Sequence, residues 1–212
     1  MNLNKKVIIV DDHVLFAQSL KGLVNSYQNY EVVEVFKNGS ELVAYFEANK
    51  KRPDLVLLDI KMPVLSGLET MQWLNQHHPD QKVLTLTMED DEYTILSMVN
   101  YGCRGYLLKD IDPEEFLYAL ETVLESGYYF TGEPERIRLH QATPNAIKDI
   151  TARELDFIKL ACTELTYKQV AEQMNLSPKT IDGYRESLFH KLSLKSRVGL
   201  VLYAFKHQLV KV

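Results

Sequence analysis

Cysteine is scarce in this chain, and its scarcity excludes two classes of protein. Among the 212 residues there are only two cysteines, Cys103 and Cys162, and neither belongs to a CxxC motif. A disulfide framework or a zinc site would need more cysteines at closer spacing. We therefore expect both to be small apolar core residues, as free cysteines usually are.

Long apolar runs are missing as well, and so are internal repeats and low-complexity segments. The first apolar run of the chain, VIIV, has four residues before two acids. A run of that length is too short for a secretion signal or a membrane span. The sequence therefore predicts a cytoplasmic protein that has no membrane partner.

Charge is divided unevenly along the chain. Residues 1–146 carry a net charge of −9, whereas residues 147–212 carry +4. With 46% hydrophobic and 25% charged residues, the chain has the composition and length of two modest globular domains. An acidic half joined to a basic half indicates that only the second half meets a polyanion.

The first 127 residues alternate short apolar runs with helical patterns. Runs such as VIIV and LVLL are apolar at every position, as strands covered on both faces must be. This alternation predicts βαβ units and a parallel sheet, and five such units fit a flavodoxin-like (βα)5 fold. The predicted strands are Lys6–Val10, Tyr30–Phe36, Asp54–Leu58, Lys82–Thr87 and Gly105–Leu108. The predicted helices are Val14–Gln28, Ser40–Asn49, Gly67–Gln76, Asp91–Tyr101 and Pro113–Ser126.

The pattern changes after the fifth of these helices. Residues 128–146 contain two prolines and little periodicity, which predicts a linker between a domain of residues 1–127 and one of residues 147–212. From Thr151 onward the pattern is helical throughout and begins with the capping-box sequence TARE. We expect an all-α domain of four helices, with the turn NLSP before the third.

Acidic side chains follow two of the predicted strands. Asp11 and Asp12 come after the first strand and Asp59 after the third, and these strands are neighbours in the flavodoxin-like order. Crowded carboxylates need a cation, and oxygen ligands of this kind favour Mg²⁺. Thr87 and Lys109 end the fourth and fifth strands, where they can hold phosphoryl oxygens. A single acid at a strand end is often only a helix N-cap, but that does not explain five residues placed together.

These residues resemble the receiver domains of two-component response regulators, most closely those of the NarL/FixJ subfamily. The resemblance covers residues 4–127, and the joint spacing of its motifs is highly specific. It implies an acidic pocket that binds Mg²⁺ and accepts a phosphoryl group. The matching segments are DDH at 11–13, DIKMPVLSG at 59–67, LTM at 86–88 and GYLLKD at 105–110.

The resemblance also implies a role for each pocket residue. Asp59 would accept the phosphoryl group from a phosphohistidine on a sensor histidine kinase. Mg²⁺ would be bound by Asp12, Asp59 and the backbone carbonyl of Lys61, with Asp11 acting through water. The remaining roles are those of a switch pair and a phosphate-binding lysine, which would be Thr87 with Tyr106 and Lys109.

Residues 151–212 resemble the LuxR-type helix-turn-helix through the segments TARELDFIKL, YKQVAEQMNLSPKTIDGYRESLFHKL and LKSRVGLVLYAF. The resemblance implies that the helix of residues 178–192 enters the major groove of operator DNA, while the preceding helix crosses the backbone. The candidate DNA contacts are Lys179, Thr180, Asp182, Gly183, Arg185, Lys191, Lys195 and Arg197.

The groove-facing side of this helix departs from the family pattern. Many relatives carry lysines at positions that Asp182 and Glu186 occupy here, and acids facing phosphates lower affinity. Base recognition must therefore depend on other groups. Arg185 can make a forked contact to guanine, and an acid such as Asp182 can accept from the N4 amino group of cytosine. Gly183 either lets the helix approach a base edge closely or is only tolerated in the helix. The other cationic or hydroxyl candidates would instead contact phosphate, namely Lys179, Thr180, Lys191, Lys195 and Arg197.

The last predicted helix is more apolar than a small domain core requires. Its apolar positions resemble the dimerisation helix of the family. We expect a homodimer when the protein is phosphorylated or bound to DNA. The predicted dimerisation residues are Val198, Val201, Leu202 and Phe205.

Two functions other than a phosphorylation-gated transcription regulator were considered. A Mg²⁺-dependent phosphatase with Asp59 as nucleophile would carry a second acid two residues later, where this chain has Lys61. A receiver that acts through protein contacts alone would not need the complete set of acids together with Thr87 and Lys109. The sequence therefore favours a regulator that is not an enzyme.

Overall fold

The computed structural model describes residues 4–48, 51–88, 92–129 and 150–210. These residues form two compact units. The first comprises the described residues up to 88 together with 101–129, and the second comprises 92–100 and 150–210. In the described part of the chain, no helix is both long and apolar enough to cross a membrane.

The first unit is built on a five-stranded parallel sheet. The strand order is β2-β1-β3-β4-β5, which confirms the predicted flavodoxin-like topology and brings the ends of β1 and β3 side by side. The strands are β1 Lys5–Val10, β2 Tyr30–Phe36, β3 Leu55–Asp59, β4 Val83–Thr87 and β5 Tyr106–Leu108. The helices of this unit are α1 Val14–Ser26, α2 Gly39–Ala48, α3 Gly67–His77 and α5 Pro113–Ser126. Helix α4, Glu92–Asn100, lies between β4 and β5 in the chain but belongs to the second unit.

The central strands are apolar because both of their faces are covered. Every residue of 7–10 and of 55–58 is fully buried. Burying each of these side chains stabilises the fold by roughly 1.5–3 kcal/mol. Strands that are apolar at every position are therefore most stable in the middle of the sheet, where β1 and β3 lie. The predicted strand ends are correct to within one residue.

Helix ends in the first unit follow local capping. Ser66 and Glu69 form a capping box that begins α3. Asp112 caps α5, and Gly127 ends it with a φ of 88°. The sequence prediction extended α1 to Gln28, but the helix ends at Ser26. Tyr27 has extended backbone, and its hydroxyl donates a hydrogen bond to the carbonyl oxygen of Pro113.

The second unit contains the four predicted C-terminal helices. They are α6 Ala152–Ala161, α7 Tyr167–Met174, α8 Pro178–Leu192 and α9 Arg197–Lys206. Thr151 and Thr166 each form a capping box, and Ser177 caps α8 with Pro178 at its first position. Between α7 and α8, Asn175 has a φ of 55°, which is the left-handed backbone of a tight helix-turn-helix connection.

Both cysteines are buried and neither forms a disulfide bond, as predicted. Most of the predicted linker lies outside the described residues. Its first two residues, Tyr128 and Tyr129, are described. Tyr129 is buried, its backbone N–H donates to the carbonyl of Arg104, and its hydroxyl donates to Glu115. The first unit therefore continues through Tyr129.

Candidate functional site

Two carboxylates and an ammonium group meet at the carboxyl ends of β1 and β3. The Nζ of Lys109 lies 2.7 Å from Oδ2 of Asp11 and 2.9 Å from Oδ2 of Asp59. All three side chains are less than 5% exposed, whereas Asp12 beside them is one-third exposed. The structure therefore brings together the acids and the lysine that the sequence placed at separate strand ends.

Backbone groups hold each member of this acidic pocket in place. The backbone N–H of Ile60 donates to Oδ1 of Asp59 at 2.8 Å, and that of His13 donates to Oδ1 of Asp11 at 2.9 Å. The backbone N–H of Lys109 donates to the carbonyl of Thr87 at 2.8 Å, which ties the ends of β4 and β5 together. One oxygen of Asp11 and one of Asp59 are thus oriented by the chain, and the other oxygen of each points to Lys109.

Gly67 allows α3 to begin directly against the backbone of Asp59. A Cβ atom at Gly67 would collide with the carbonyl oxygen of Asp59 and the Cα of Ile60. Its N–H donates to the carbonyl of Ile60 at 2.9 Å. The glycine that ends the DIKMPVLSG segment therefore positions the loop after β3.

The loop between Asp59 and α3 contains a tight turn after Pro63. The backbone N–H of Leu65 donates to the carbonyl of Pro63, and Val64 between them has a φ of 70°. These are the features of a γ-turn with a left-handed central residue, which is strained for a β-branched side chain. The side chain of Val64 is 82% exposed.

The pocket carries more negative than positive charge. Burial raises the pKa of the Asp59 carboxyl, and the hydrogen bond and charge of Lys109 act in the opposite direction. Among the described residues, Lys109 and His13 are the only side chains that approach Oδ2 of Asp11, Oδ1 of Asp12 and Oδ2 of Asp59. Three carboxylates that share one ammonium fit a divalent cation with oxygen ligands, such as Mg²⁺.

His13 also belongs to the pocket, although the sequence analysis gave it no role. Its Nδ1 lies 3.1 Å from Asp12, 3.3 Å from Asp11 and 3.9 Å from Asp59, measured to carboxylate oxygens. The only sequence signal was its place in the segment DDH. Whether that histidine faces the acids depends on the start of α1, which the sequence pattern does not reveal.

The other predicted pocket residues lie around these groups. Thr87, the last residue of β4, is buried, and Tyr106, the first residue of β5, is half-buried. Lys61 follows Asp59 by two residues and has an exposed side chain. The structure therefore places Thr87 and Lys109 at the same edge of the sheet as Asp59.

Most of the predicted DNA contacts lie on the exposed side of α8 or just after it. Lys179, Thr180, Asp182, Gly183 and Lys195 are exposed. A Cβ at Gly183 would meet no atom within 4 Å, so this part of the helix borders open space.

Arg185 is restrained by two neighbours. Its Nη1 lies 3.2 Å from Oδ1 of Asp182, one helical turn earlier, and its guanidinium lies 5.5 Å from the ring centre of Tyr167. The predicted base-contacting arginine is thus held close to the helix surface.

Lys191 forms an ion pair within the second unit. Its Nζ lies 2.8 Å and 3.0 Å from the two carboxylate oxygens of Glu154, which is almost completely buried. Burial alone would raise the pKa of Glu154, but hydrogen bonds from Lys191, Thr151 and Ser187 outweigh it and lower the pKa from 4.5 to about 2. Lys191 therefore neutralises a buried acid.

Replacing Lys191 by alanine should destabilise the second unit by about 1–3 kcal/mol, since Glu154 would keep its burial but lose its cation. A depressed pKa stabilises the fold above the unfolded value of 4.5, and this stabilisation is lost as the pH falls toward 2. Urea unfolding of the variant and of wild type should therefore give free energies that differ at pH 7 and converge toward pH 2. The exposed Lys195→Ala variant is the control, and an equal loss in both variants would contradict this role.

Arg197 is a correction to the predicted DNA contacts. Its side chain is buried, and its guanidinium donates to the carbonyls of Ala161, Thr163 and Leu165 at 2.7–2.9 Å. Because these hydrogen bonds engage the buried guanidinium within the domain, Arg197 is not positioned to contact DNA phosphate. We conclude that Arg197 is a structural residue of the second unit.

The predicted dimerisation residues lie on α9 and are buried. Their exposed fractions do not exceed 8% for Val198, Val201, Leu202 and Phe205. Within the second unit, α4 packs along α9. Ser97 of α4 donates a hydrogen bond to Glu164, which precedes α7, at 3.1 Å. The proposed dimer surface is therefore covered in this structure.

Two family models match the chain. Residues 7–121 match the model of the response regulator receiver domain, and residues 148–204 match that of the luxR family of bacterial regulatory proteins. The first match contains the acidic pocket, and the second contains α6 to α8 and most of α9.

Curated relatives and solved structures resemble the chain over nearly its whole length. A nitrate/nitrite response regulator protein homolog of Haemophilus influenzae is 31% identical over 202 residues, which cover 95% of this chain and 96% of that protein. The response regulator ChrA of a heme-sensing two-component system is 26% identical, with a TM-score of 0.51 and coverage of 98% and 99%. The RcsB response regulator of Salmonella typhimurium is similar in fold, with 24% identity, a TM-score of 0.55 and coverage of 96% and 98%.

Proposed function

The chain belongs to the two-component response regulators that join a receiver domain to a LuxR-type DNA-binding domain, and from this premise we propose that Asp59 is its phosphoryl acceptor. Members of this family are transcription regulators rather than enzymes, and their partners are a sensor histidine kinase and DNA. Both partners meet the protein in the cytoplasm, where we place it. We assign residues 1–127 to the receiver, 128–146 to the linker and 147–212 to the DNA-binding domain.

The observation that carries this proposal is the position of the Asp59 carboxylate. It lies buried at the end of β3, with Lys109 Nζ 2.9 Å from Oδ2 and a backbone N–H on Oδ1. Burial raises its pKa, and a more basic carboxylate is a better nucleophile once it is ionised. Asp11 is held by the same lysine, and its side chain is fully buried, whereas that of Asp59 retains some exposure.

Phosphoryl transfer to Asp59 is an in-line displacement. A carboxylate oxygen of Asp59 attacks the phosphorus of a phosphohistidine, a P–O bond forms as the P–N bond breaks, and the imidazole leaves with the electron pair. Lys109 then exchanges its contact with Asp59 for one with a phosphoryl oxygen. The hydroxyl of Thr87 supplies a hydrogen bond to another of these oxygens.

The acidic pocket would hold Mg²⁺ through Asp12, Asp59 and the carbonyl oxygen of Lys61, with Asp11 acting through a water molecule. Bound there, the ion supplies charge neutralisation for the phosphoryl oxygens as they approach three carboxylates. The excess of carboxylates over the one ammonium of Lys109 supports this assignment.

We propose that phosphorylation acts on α9 through α4. Thr87 ends β4, which directly precedes the segment leading to α4, and movement of Thr87 toward the phosphoryl group leaves space for Tyr106 to turn inward. These shifts rearrange the surface formed by β4, α4 and β5, and separation of α4 from α9 then exposes the dimerisation residues. A homodimer forms on the uncovered helix and binds two half-sites of DNA.

The test of this function is whether acetyl phosphate with Mg²⁺ adds one phosphoryl group to the protein, measured by intact mass. We expect one group on wild type and none on Asp59→Asn. Equal phosphorylation of both proteins would show that a residue other than Asp59 accepts the phosphoryl group.

Base recognition by α8 gives a prediction for Arg185. To make a forked contact with guanine, its guanidinium must leave Asp182 and reach the groove. Arg185→Ala should therefore remove about 1–3 kcal/mol of discrimination at one base position of an operator selected from random DNA with the wild-type protein. Lys179→Ala is the matched control, because loss of a phosphate contact weakens all sites alike and lowers the salt slope by about one.

Single-base operator variants at two salt concentrations separate these outcomes. If Arg185→Ala weakened every operator equally, the arginine would be a phosphate contact, and specificity would depend on Asp182 or on close approach at Gly183.

A further inference from the structure

His13 faces the acidic pocket but takes no part in the phosphoryl transfer described above. Its Nδ1 approaches carboxylate oxygens of Asp12, Asp11 and Asp59 at 3.1, 3.3 and 3.9 Å. One nitrogen and three carboxylate oxygens of these four residues thus lie within 4.8 Å of one another.

The distances from Nδ1 to the three acids are those found between ligands of a single ion. Donor atoms bonded to an octahedral ion at about 2.0–2.2 Å stand about 3 Å apart when adjacent and about 4 Å apart when opposite. The three distances from Nδ1 lie within this range. A side chain that met the acids only by chance on the surface would not be expected to approach all three.

The imidazole is not needed to start the helix. His13 is the N-cap residue of α1, yet its side chain makes no capping hydrogen bond. Histidine is not among the residues that favour this position. The pocket itself contains two carboxylates more than nine-tenths buried, Asp11 and Asp59. Their Oδ2 atoms share the single ammonium of Lys109, while Oδ1 of Asp11 and Oδ2 of Asp59 face this imidazole.

We propose that Nδ1 of His13 is a ligand of the cation site and makes the pocket prefer first-row transition-metal ions, such as Mn²⁺ and Co²⁺, over Mg²⁺. The proposal rests on the function above, because it concerns the same cation site. Carboxylate and carbonyl oxygens alone suit Mg²⁺, whereas an imidazole nitrogen adds binding energy for transition-metal ions and little for Mg²⁺. His13 would therefore determine which divalent ion supports phosphorylation when both are present.

The competing explanation is that His13 is a cationic neighbour of the three acids. In that role it would occupy part of the space and charge that a metal ion needs. Its removal would then strengthen the binding of every divalent cation. The two explanations thus predict changes of opposite direction in Mn²⁺ affinity.

Binding of Mn²⁺, measured from the electron paramagnetic resonance signal of the free ion at one fixed pH, tests the proposal. Mg²⁺ affinity follows from competition against Mn²⁺. The proteins are wild type and His13→Asn, which keeps a side chain suited to an N-cap and so protects the helix start. We expect Mn²⁺ binding to weaken at least tenfold in the variant and Mg²⁺ binding to change less than about twofold, since loss of even an outer-shell partner costs about 10- to 100-fold.

Pulsed electron paramagnetic resonance of the bound Mn²⁺ provides a second readout that does not depend on affinity. Coupling to a directly bound ¹⁴N should be present in wild type and absent in His13→Asn. The control His190→Ala changes an exposed histidine of α8 and should keep both the coupling and the affinities. Unchanged affinities and no nitrogen coupling in wild type would overturn the proposal, and tighter binding of both ions by His13→Asn would establish the cationic role instead.

The Asp59→Asn protein separates this inference from the proposed function. If wild type binds both ions more tightly than Asp59→Asn but shows no nitrogen coupling, the cation site stands and the role of His13 is wrong. If wild type binds neither ion more tightly than Asp59→Asn, the cation site and the role of His13 are both wrong, whereas the intact-mass experiment decides separately whether Asp59 is the phosphoryl acceptor.

Discussion

Replacing Arg197 by alanine should lower the free energy of unfolding of the second unit by about 3–5 kcal/mol. The buried guanidinium donates to three carbonyls at the end of α6 and in the loop that follows it. Alanine would remove three hydrogen bonds from a charged donor, each worth about 1.5–3 kcal/mol, and would leave the buried carbonyl of Ala161 without this donor. The guanidinium also lies 5.1 Å from the ring centre of Tyr167, and this contact would be lost as well.

The single tryptophan makes this loss measurable in the full chain. Trp73 lies in α3 of the first unit, so its fluorescence reports on that unit, whereas far-ultraviolet circular dichroism reports on all helices. In urea, Arg197→Ala should lose part of its helical signal before Trp73 fluorescence changes. Arg197→Lys should recover only part of the loss, because an ammonium cannot reproduce a planar fork.

Lys195→Ala provides the matched control two residues away. Its side chain is exposed, so its unfolding should stay within about 0.5 kcal/mol of wild type. If Arg197→Ala were as stable as this control and only reduced the salt slope of DNA binding, Arg197 would be the phosphate contact that the sequence predicted.

The second large effect should follow from Asp59→Asn. Acetyl phosphate with Mg²⁺ should raise the affinity of wild type for its selected operator by about 5- to 150-fold, the usual range for coupling between two sites. Asparagine cannot form the acyl phosphate, so the variant should show no response. Its basal affinity should stay close to that of unphosphorylated wild type, because the DNA-binding helices are unchanged.

Asp110→Asn is the control for this comparison. Asp110 is exposed and adjoins Lys109, so its removal changes the charge near the pocket without removing the acceptor. The response to acetyl phosphate should remain. If Asp110→Asn also lost the increase in operator affinity, the increase would depend on the local charge and not on the phosphoryl group of Asp59.

The strands of the first unit were predictable because burial on both faces leaves a direct signal in the sequence. Uniform apolar runs predicted β1 and β3 to within one residue, and the parallel order brought Asp11 and Asp59 together. The end of α1 was not predictable in the same way. Tyr27 leaves the helix and bonds to Pro113, a partner 86 positions away in the chain.

The roles of Arg197, Lys191 and His13 could not be predicted from the sequence, because they depend on the direction in which each side chain points. The KSR segment shows that Arg197 is basic, but not that carbonyls 32 to 36 positions earlier surround it. Likewise, Lys191 has the spacing of a phosphate contact, and its pairing with Glu154 depends on how α6 packs against α8. His13 differs because its neighbours in sequence are its neighbours in space, and only the orientation at the start of α1 was unknown.

The central claim is that Asp59 carries the phosphoryl group. Wild type is treated with acetyl phosphate and Mg²⁺ and then with borohydride, which reduces the acyl phosphate of an aspartate to homoserine. Peptide mass spectrometry then locates the modified residue. The account predicts homoserine at position 59 alone; homoserine at position 11 or 12, or none in a protein whose DNA binding still responds to acetyl phosphate, would contradict it.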